Sequence, residues 1–150
     1  MKHKIITTSA IGFITLSVLS ILSVSVMAFI DPQKVMDLVQ VKLTNNDAYS
    51  SIRGVFGGVG FTLVVVLLML SKQRLSYGLW MLALLWGMYS LSRIITIAIE
   101  GPLGSFGKQW IVIETSFSII AIVLASSIKD QKKVQTQNKR GSAQVKTLAA

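Results

Sequence analysis

Four apolar blocks divide the chain, at residues 5–30, about 52–70, about 77–99 and 110–128. Each is long enough to cross a hydrocarbon core of about 30 Å as an α-helix rising about 1.5 Å per residue. None alternates apolar and polar residues with period two, as the strands of a membrane barrel do. The pattern predicts an all-α integral membrane protein, a four-transmembrane-helix bundle over residues 1–128. A rival reading takes the first block as a secretory signal, because Lys2 and Lys4 precede it and Val26-Met27-Ala28 resembles a cleavage site. The block is longer than the apolar run of a signal, about 7 to 15 residues, which favours a retained first span.

The segments between the spans have patterns of their own. Asp31-Pro32 reads as a helix start, with Asp capping free N–H groups and Pro at the first helical position. Val35, Met36, Val39 and Leu43 then recur on one face, with Lys34, Asp37 and Lys42 on others, which predicts a short interfacial helix between spans one and two. Such a helix either packs over the bundle mouth or forms a lid over a pocket. Asn45-Asn46-Asp47 turns the chain into the second span. Gly101, Pro102, Gly104 and Gly107 forbid one continuous helix between spans three and four and predict a flexible loop. Residues 129–150 carry Lys129, Lys132, Lys133, Lys139, Arg140 and Lys146 against the single acid Asp130, with no sustained apolar period, and read as a disordered basic cytoplasmic tail. That cluster either meets anionic lipid or serves only to hold topology.

Composition sharpens this picture. Hydrophobic residues make up 52% and charged residues 14% of the 150, well below the roughly 25% charge of soluble domains. With no cysteine in the chain, disulfides, thiolate metal sites and dithiol redox chemistry are excluded. Outside the spans, ten cations (Lys2, Lys4, Lys72, Arg74 and the six of the tail) fall on one side and three (Lys34, Lys42, Lys108) on the other. Cations are retained in the cytoplasm, so both termini are expected there. The net charge of +9 is then mainly a topology signal. It gives no reason to expect nucleic acid, since neither an aromatic platform nor a phosphate cradle accompanies it.

Tyr49 and Trp110 at the outer boundary and Tyr77 and Trp80 at the inner one read as interfacial anchors, and Trp86 in mid-span reads first as core. Charge inside a span costs about 2.5 to 3.5 kcal/mol at the centre, which makes every instance a candidate site. Arg53 opens the second span, Arg93 lies late in the third and Glu114 early in the fourth. All three fall within roughly 10 Å of the outer boundary. A carboxylate between two guanidiniums would form a net-positive cluster suited to an anion or a lipid head group, and Glu100, on the same helical face as Arg93, could extend it. The competing structural reading has Arg93 and Glu114 tie two helices together while Arg53 snorkels to the head groups.

Gly54 and Gly58, with Gly57 between them, form a small-residue step that predicts close helix approach, and Gly87, Ser90 and Arg93 share a face of span three that is expected to meet Glu114 and Ser118. The stretch from Leu63 to Leu68 is expected to face lipid. No His lies in a span, and no metal set, cofactor motif or catalytic constellation can be assembled.

An Arg before a Gly-Gly pair (Arg53, Gly57-Gly58), an Arg late in span three (Arg93), the acidic-Gly pair Glu100-Gly101 and the early Glu114 of span four together resemble a family of small bacterial four-span membrane proteins, domain of unknown function 4345. Ser92 stands where that pattern has Gly, and Glu100 where it has Asp. The resemblance implies the four-span fold and the charged cluster, and no reaction. The leading expectation is a non-enzymatic protein whose Arg/Glu cluster meets membrane lipid, a small anion, a membrane protein partner or a second copy of the chain. The alternative is a small proton-coupled transporter using Glu114.

Overall fold

In the computed structural model, which describes the backbone of residues 2–148 and the side chains of residues 4–128, every long apolar block is a helix. The order is α1 (Lys2–Ile30), α2 (Pro32–Asp37), α3 (Asn46–Ile52), a π-helical turn (Arg53–Gly58), α4 (Val59–Gln73), α5 (Leu75–Ile99) and α6 (Ser105–Leu148). Four stretches are long and apolar enough to cross a membrane: Lys4–Ile30, Asn46–Gln73, Leu75–Ile99 and Ser105–Ile128. The second starts six residues before the apolar block at 52 because Asn45 caps it, its Oδ1 accepting the Ala48 N–H at 2.8 Å. The backbone of α6 stays helical to Leu148, through the segment expected to be disordered. A helix already nucleated elongates readily through Lys, Gln and Ala, and no proline interrupts it there. The side chains of that segment, and with them the expected contacts of the basic tail, lie outside the described residues.

The bundle is packed tightly at the end that holds the α4–α5 turn. There Ala10, Phe13 and Ile14 of α1, Leu67 of α4, Leu79 and Leu82 of α5, and Ala121 and Ala125 of α6 form one buried cluster. Alanines at Ala10, Ala121 and Ala125 let the helix backbones approach, which is how helices associate where burial from lipid supplies no hydrophobic drive. Leu67 and Val64 belong to this interior, so only Val65, Val66 and Leu68 of the predicted lipid-facing stretch are exposed. An α-helix cannot present six consecutive residues to one side. α1 contributes buried positions from Ala10 to Ala28 and is an integral part of the bundle.

α4 and α5 are joined through the single extended residue Arg74. That tight reversal brings Gly78 against Ser71 and Leu67, and a Cβ at Gly78 would overlap the Ser71 hydroxyl.

At the opposite end the helices diverge. The π-helical turn packs on α1 and α3, while the C-terminal half of α5 packs on α6. α2 closes this end: Val35 and Met36 are buried with Ala28, against Val24, Met27 and Phe56. The helix is shorter than its apolar period suggested. It stops at Asp37, Gln40 takes a positive φ of 58°, and the chain runs on extended, so Leu43 shares no helical face with Val35. One side chain organises this turn, since Gln33 donates to the Val41 carbonyl (2.9 Å) and Asp37 Oδ1 (2.7 Å) and accepts the Leu43 N–H (2.9 Å). Asp31 makes no side-chain cap; its carboxylate faces Lys34 at 3.6 Å instead. The α5–α6 connection is a short loop in which Gly101, at φ +99°, supplies the conformation that other residues avoid.

Candidate functional site

α5 and α6 run antiparallel, and a ladder of polar contacts joins them. Ser118 Oγ donates to the Ala83 carbonyl at 2.9 Å, Ser90 and Thr115 share a hydroxyl hydrogen bond of 2.7 Å, and the Arg93 guanidinium meets Glu114. Gly87 makes room for this, since a Cβ there would come within 3.1 Å of Ser118 Oγ. The steps at Gly87, Ser90 and Arg93 keep one face of α5 in register with Ser118, Thr115 and Glu114 on α6.

The Arg93–Glu114 contact is a two-pronged ion pair. Arg93 Nε donates to Oε2 at 2.6 Å and Nη2 to Oε1 at 2.8 Å. The Glu114 side chain is 3% exposed and that of Arg93 20%. Parallel charge-assisted bonds of this length are the strong form of an Arg–carboxylate contact. They offset much of the penalty for holding both charges away from water. The Phe106 ring lies 5.8 Å from the guanidinium and covers it from the α5–α6 loop side.

The other two charges of the expected cluster stand elsewhere. Arg53, at the start of the π-helical turn, is exposed and donates from Nε to the Phe29 carbonyl at 3.2 Å, satisfying one of the free carbonyls that end α1. Glu100 ends α5 as an exposed residue, its N–H bonded to the Thr96 carbonyl. Among the described residues neither pairs with Arg93 or Glu114, so the site is a neutral pair and not a net-positive cluster. Arg53, Arg93 and Glu114 were placed together from their positions along the spans, but position along a span does not fix which helices adjoin. The second span leans on α1 at this end, away from α5 and α6.

The glycines divide in a similar way. Gly54 and Gly58, the expected close-approach step, have nothing within 4 Å of a Cβ. The approach is made by Gly57, where a Cβ would come within 2.7 Å of the Phe29 ring, and by Gly60, where it would overlap the Ser25 hydroxyl. Gly54, Gly57 and Gly58 all lie within the π-helical turn, whose wider winding spaces them around the axis differently from an α-helical count.

Between the diverging helices lies a cavity of about 360 Å³ whose lining is mainly apolar. Ile21 and Val24 of α1, Val59 and Leu63 of α4, and Leu85 and Trp86 of α5 form its walls, Met36 and Val39 its cover, and Arg93 and Glu114 stand at one side. The volume is within the range of small-molecule sites, about 300 to 1,000 Å³. A pocket beside the charges, lidded by the short helix, was one of the sequence expectations; its mainly apolar lining from three spans was not, because it arises from how the helices are arranged under α2. Trp110, expected as an interfacial anchor, is one of its lining residues and packs at 5.8 Å from Phe106. Trp86 is both core and lining: it is 6% exposed and edge-on to Phe117 at 5.4 Å, and its Nε1 is buried with no hydrogen-bond partner. Among the described residues no group of three or more potential metal-ligating side chains occurs.

The family described as a domain of unknown function (DUF4345) matches residues 10–125, a stretch that runs from α1 through α6 and contains the whole cavity. No curated protein and no solved structure matches the chain.

Proposed function

The chain belongs to this family, whose description assigns no activity, and we propose that it is a non-enzymatic membrane protein that binds a lipid-like molecule in the cavity beside Arg93 and Glu114. The observation that carries this reading is the coincidence of an apolar cavity with an intramembrane ion pair in its wall. A bilayer supplies apolar chains, and a guanidinium at the cavity wall supplies hydrogen-bond donors to orient a polar head. Occupancy is tested by filling the space. Leu63→Phe combined with Leu85→Phe is expected to lower the amount of lipid-like molecule that co-purifies, measured by mass spectrometry of extracts, severalfold relative to wild type. Unchanged occupancy in a folded double variant would place the bound molecule outside the cavity and end the reading.

The cation distribution supports placing the cavity end of the bundle on the outer side of a bacterial inner membrane, with both termini in the cytoplasm. Reporter fusions after Gln40, Arg74 and Ser105 and at the C-terminus are expected to read out, in, out, in. A C-terminus found outside would put the cavity on the cytoplasmic side or change the number of spans. The proton-coupled transport reading finds no geometric support. Both Glu114 oxygens are engaged by Arg93, and among the described residues the lining holds no second carboxylate to pass a proton on.

A further inference from the structure

Resting on the reading of the cavity as a lipid-binding site, we infer that its occupant presents an uncharged carbonyl oxygen, as in an ester, amide or ketone, and that an anionic head group is disfavoured. The hydrogen-bond inventory of the lining comes first. Ser20, Ser25 and Ser92 all line the cavity, and each spends its hydroxyl hydrogen on its own helix, on the carbonyls of Leu16, Ile21 and Tyr89. What remains is the Tyr89 hydroxyl, which can donate or accept, and the N–H groups of Trp110 and Arg93, so donors predominate. Arg93 has five N–H groups; Glu114 takes one on Nε and one on Nη2, and the Nη1 edge makes no hydrogen bond among the described residues. The side-on grip of Glu114 leaves that edge as a two-pronged donor, and Arg93 retains 20% exposure. A ligand that satisfies this lining brings an acceptor.

Charge then selects among acceptors. Among the described residues Arg93 and Glu114 are the only charged ones in the lining, and they cancel. An anion on the open edge of Arg93 would be repelled by the Glu114 carboxylate on the same guanidinium, so the attraction to Arg93 is largely offset. The cost of removing the anion from water then stands uncompensated. A carbonyl oxygen accepts the same N–H groups without that cost.

The test compares two probes with the same tail. The full chain carrying Trp80→Phe, which removes an indole remote from the cavity, is reconstituted in phosphatidylcholine nanodiscs. It receives equal membrane fractions of a brominated stearoyl monoglyceride or of brominated stearate, at alkaline pH where the carboxylate is ionised. Bromine quenches the fluorescence of Trp86 and Trp110. The monoglyceride is expected to quench at about tenfold lower membrane fraction than stearate, one pK-sized difference in affinity. Glu114→Gln, which leaves Arg93 as a lone cation, is expected to reverse the order. Equal or tighter binding of stearate to the wild-type site would overturn the inference while leaving the cavity reading intact. Absence of specific quenching by either probe would overturn both. If Glu114→Gln does not fold, the wild-type ratio decides alone.

Discussion

Arg93→Gln is expected to lower the stability of the bundle in detergent by about 3 to 5 kcal/mol, the cost of leaving one member of a buried ion pair without its partner. Glu114 would then be a carboxylate 3% exposed with no guanidinium beside it. The reverse change, Glu114→Gln, is expected to cost less. Arg93 is 20% exposed, and its long side chain can swing its charge toward the head groups. Combining the two substitutions removes both charges and should recover a large part of the loss, because the remaining amides can hydrogen-bond across the same gap. Thermal unfolding of the four proteins gives the coupling directly. Strictly additive losses would show that the two side chains do not act as a pair, and the candidate site would lose its polar wall. A Glu114→Gln loss larger than that of Arg93→Gln would contradict the burial order on which the asymmetry rests.

The second large effect is expected at Gly60. A side chain there meets Ser25, whose hydroxyl is held by a 2.8 Å bond to the Ile21 carbonyl and whose Cβ would lie 3.2 Å from the added carbon. Gly60→Leu must therefore push α1 and α4 apart, at a cost of about 1 to 3 kcal/mol or more, and it projects into the lining of the cavity as well. Gly54→Leu is the control. Open space surrounds that position, and a change within about 0.5 kcal/mol is expected, as for a surface site. Circular dichroism melts of the two variants discriminate. If Gly54→Leu is the more damaging, helix approach runs through the Gly54 and Gly58 face, and the π-helical turn does not set the packing of the second span.

The glycine contrast shows how a spacing argument succeeds and then fails within one helix. The small-residue step was read at Gly54 and Gly58, whereas Gly57 and Gly60 of the same span make the close approach. Which glycine touches depends on the helical phase, and a π-helical turn from Arg53 to Gly58 shifts that phase. Nothing in the residue types announces such a turn, because it is stabilised by what the flanking helices pack against.

The apolar block lengths alone determined the four spans and the all-α class, since a backbone in lipid must satisfy its own hydrogen bonds and the helix does so within each segment. The Arg93–Glu114 contact was also legible. Two opposite charges at one depth on consecutive antiparallel helices have few other partners, and the steps from Gly87 to Arg93 placed them on facing sides. Tertiary structure decided the rest. Arg53, expected at their depth, turns to the Phe29 carbonyl, because the lateral order of helices is set by shape, through contacts such as Gly57 on Phe29 and Gly60 on Ser25. The cavity exists because the helices are packed at one end by Leu67, Leu79 and Leu82 and diverge at the other under α2. A space between helices belongs to no single segment, and the local pattern of apolar and polar residues, which specifies each helix separately, carries no record of it.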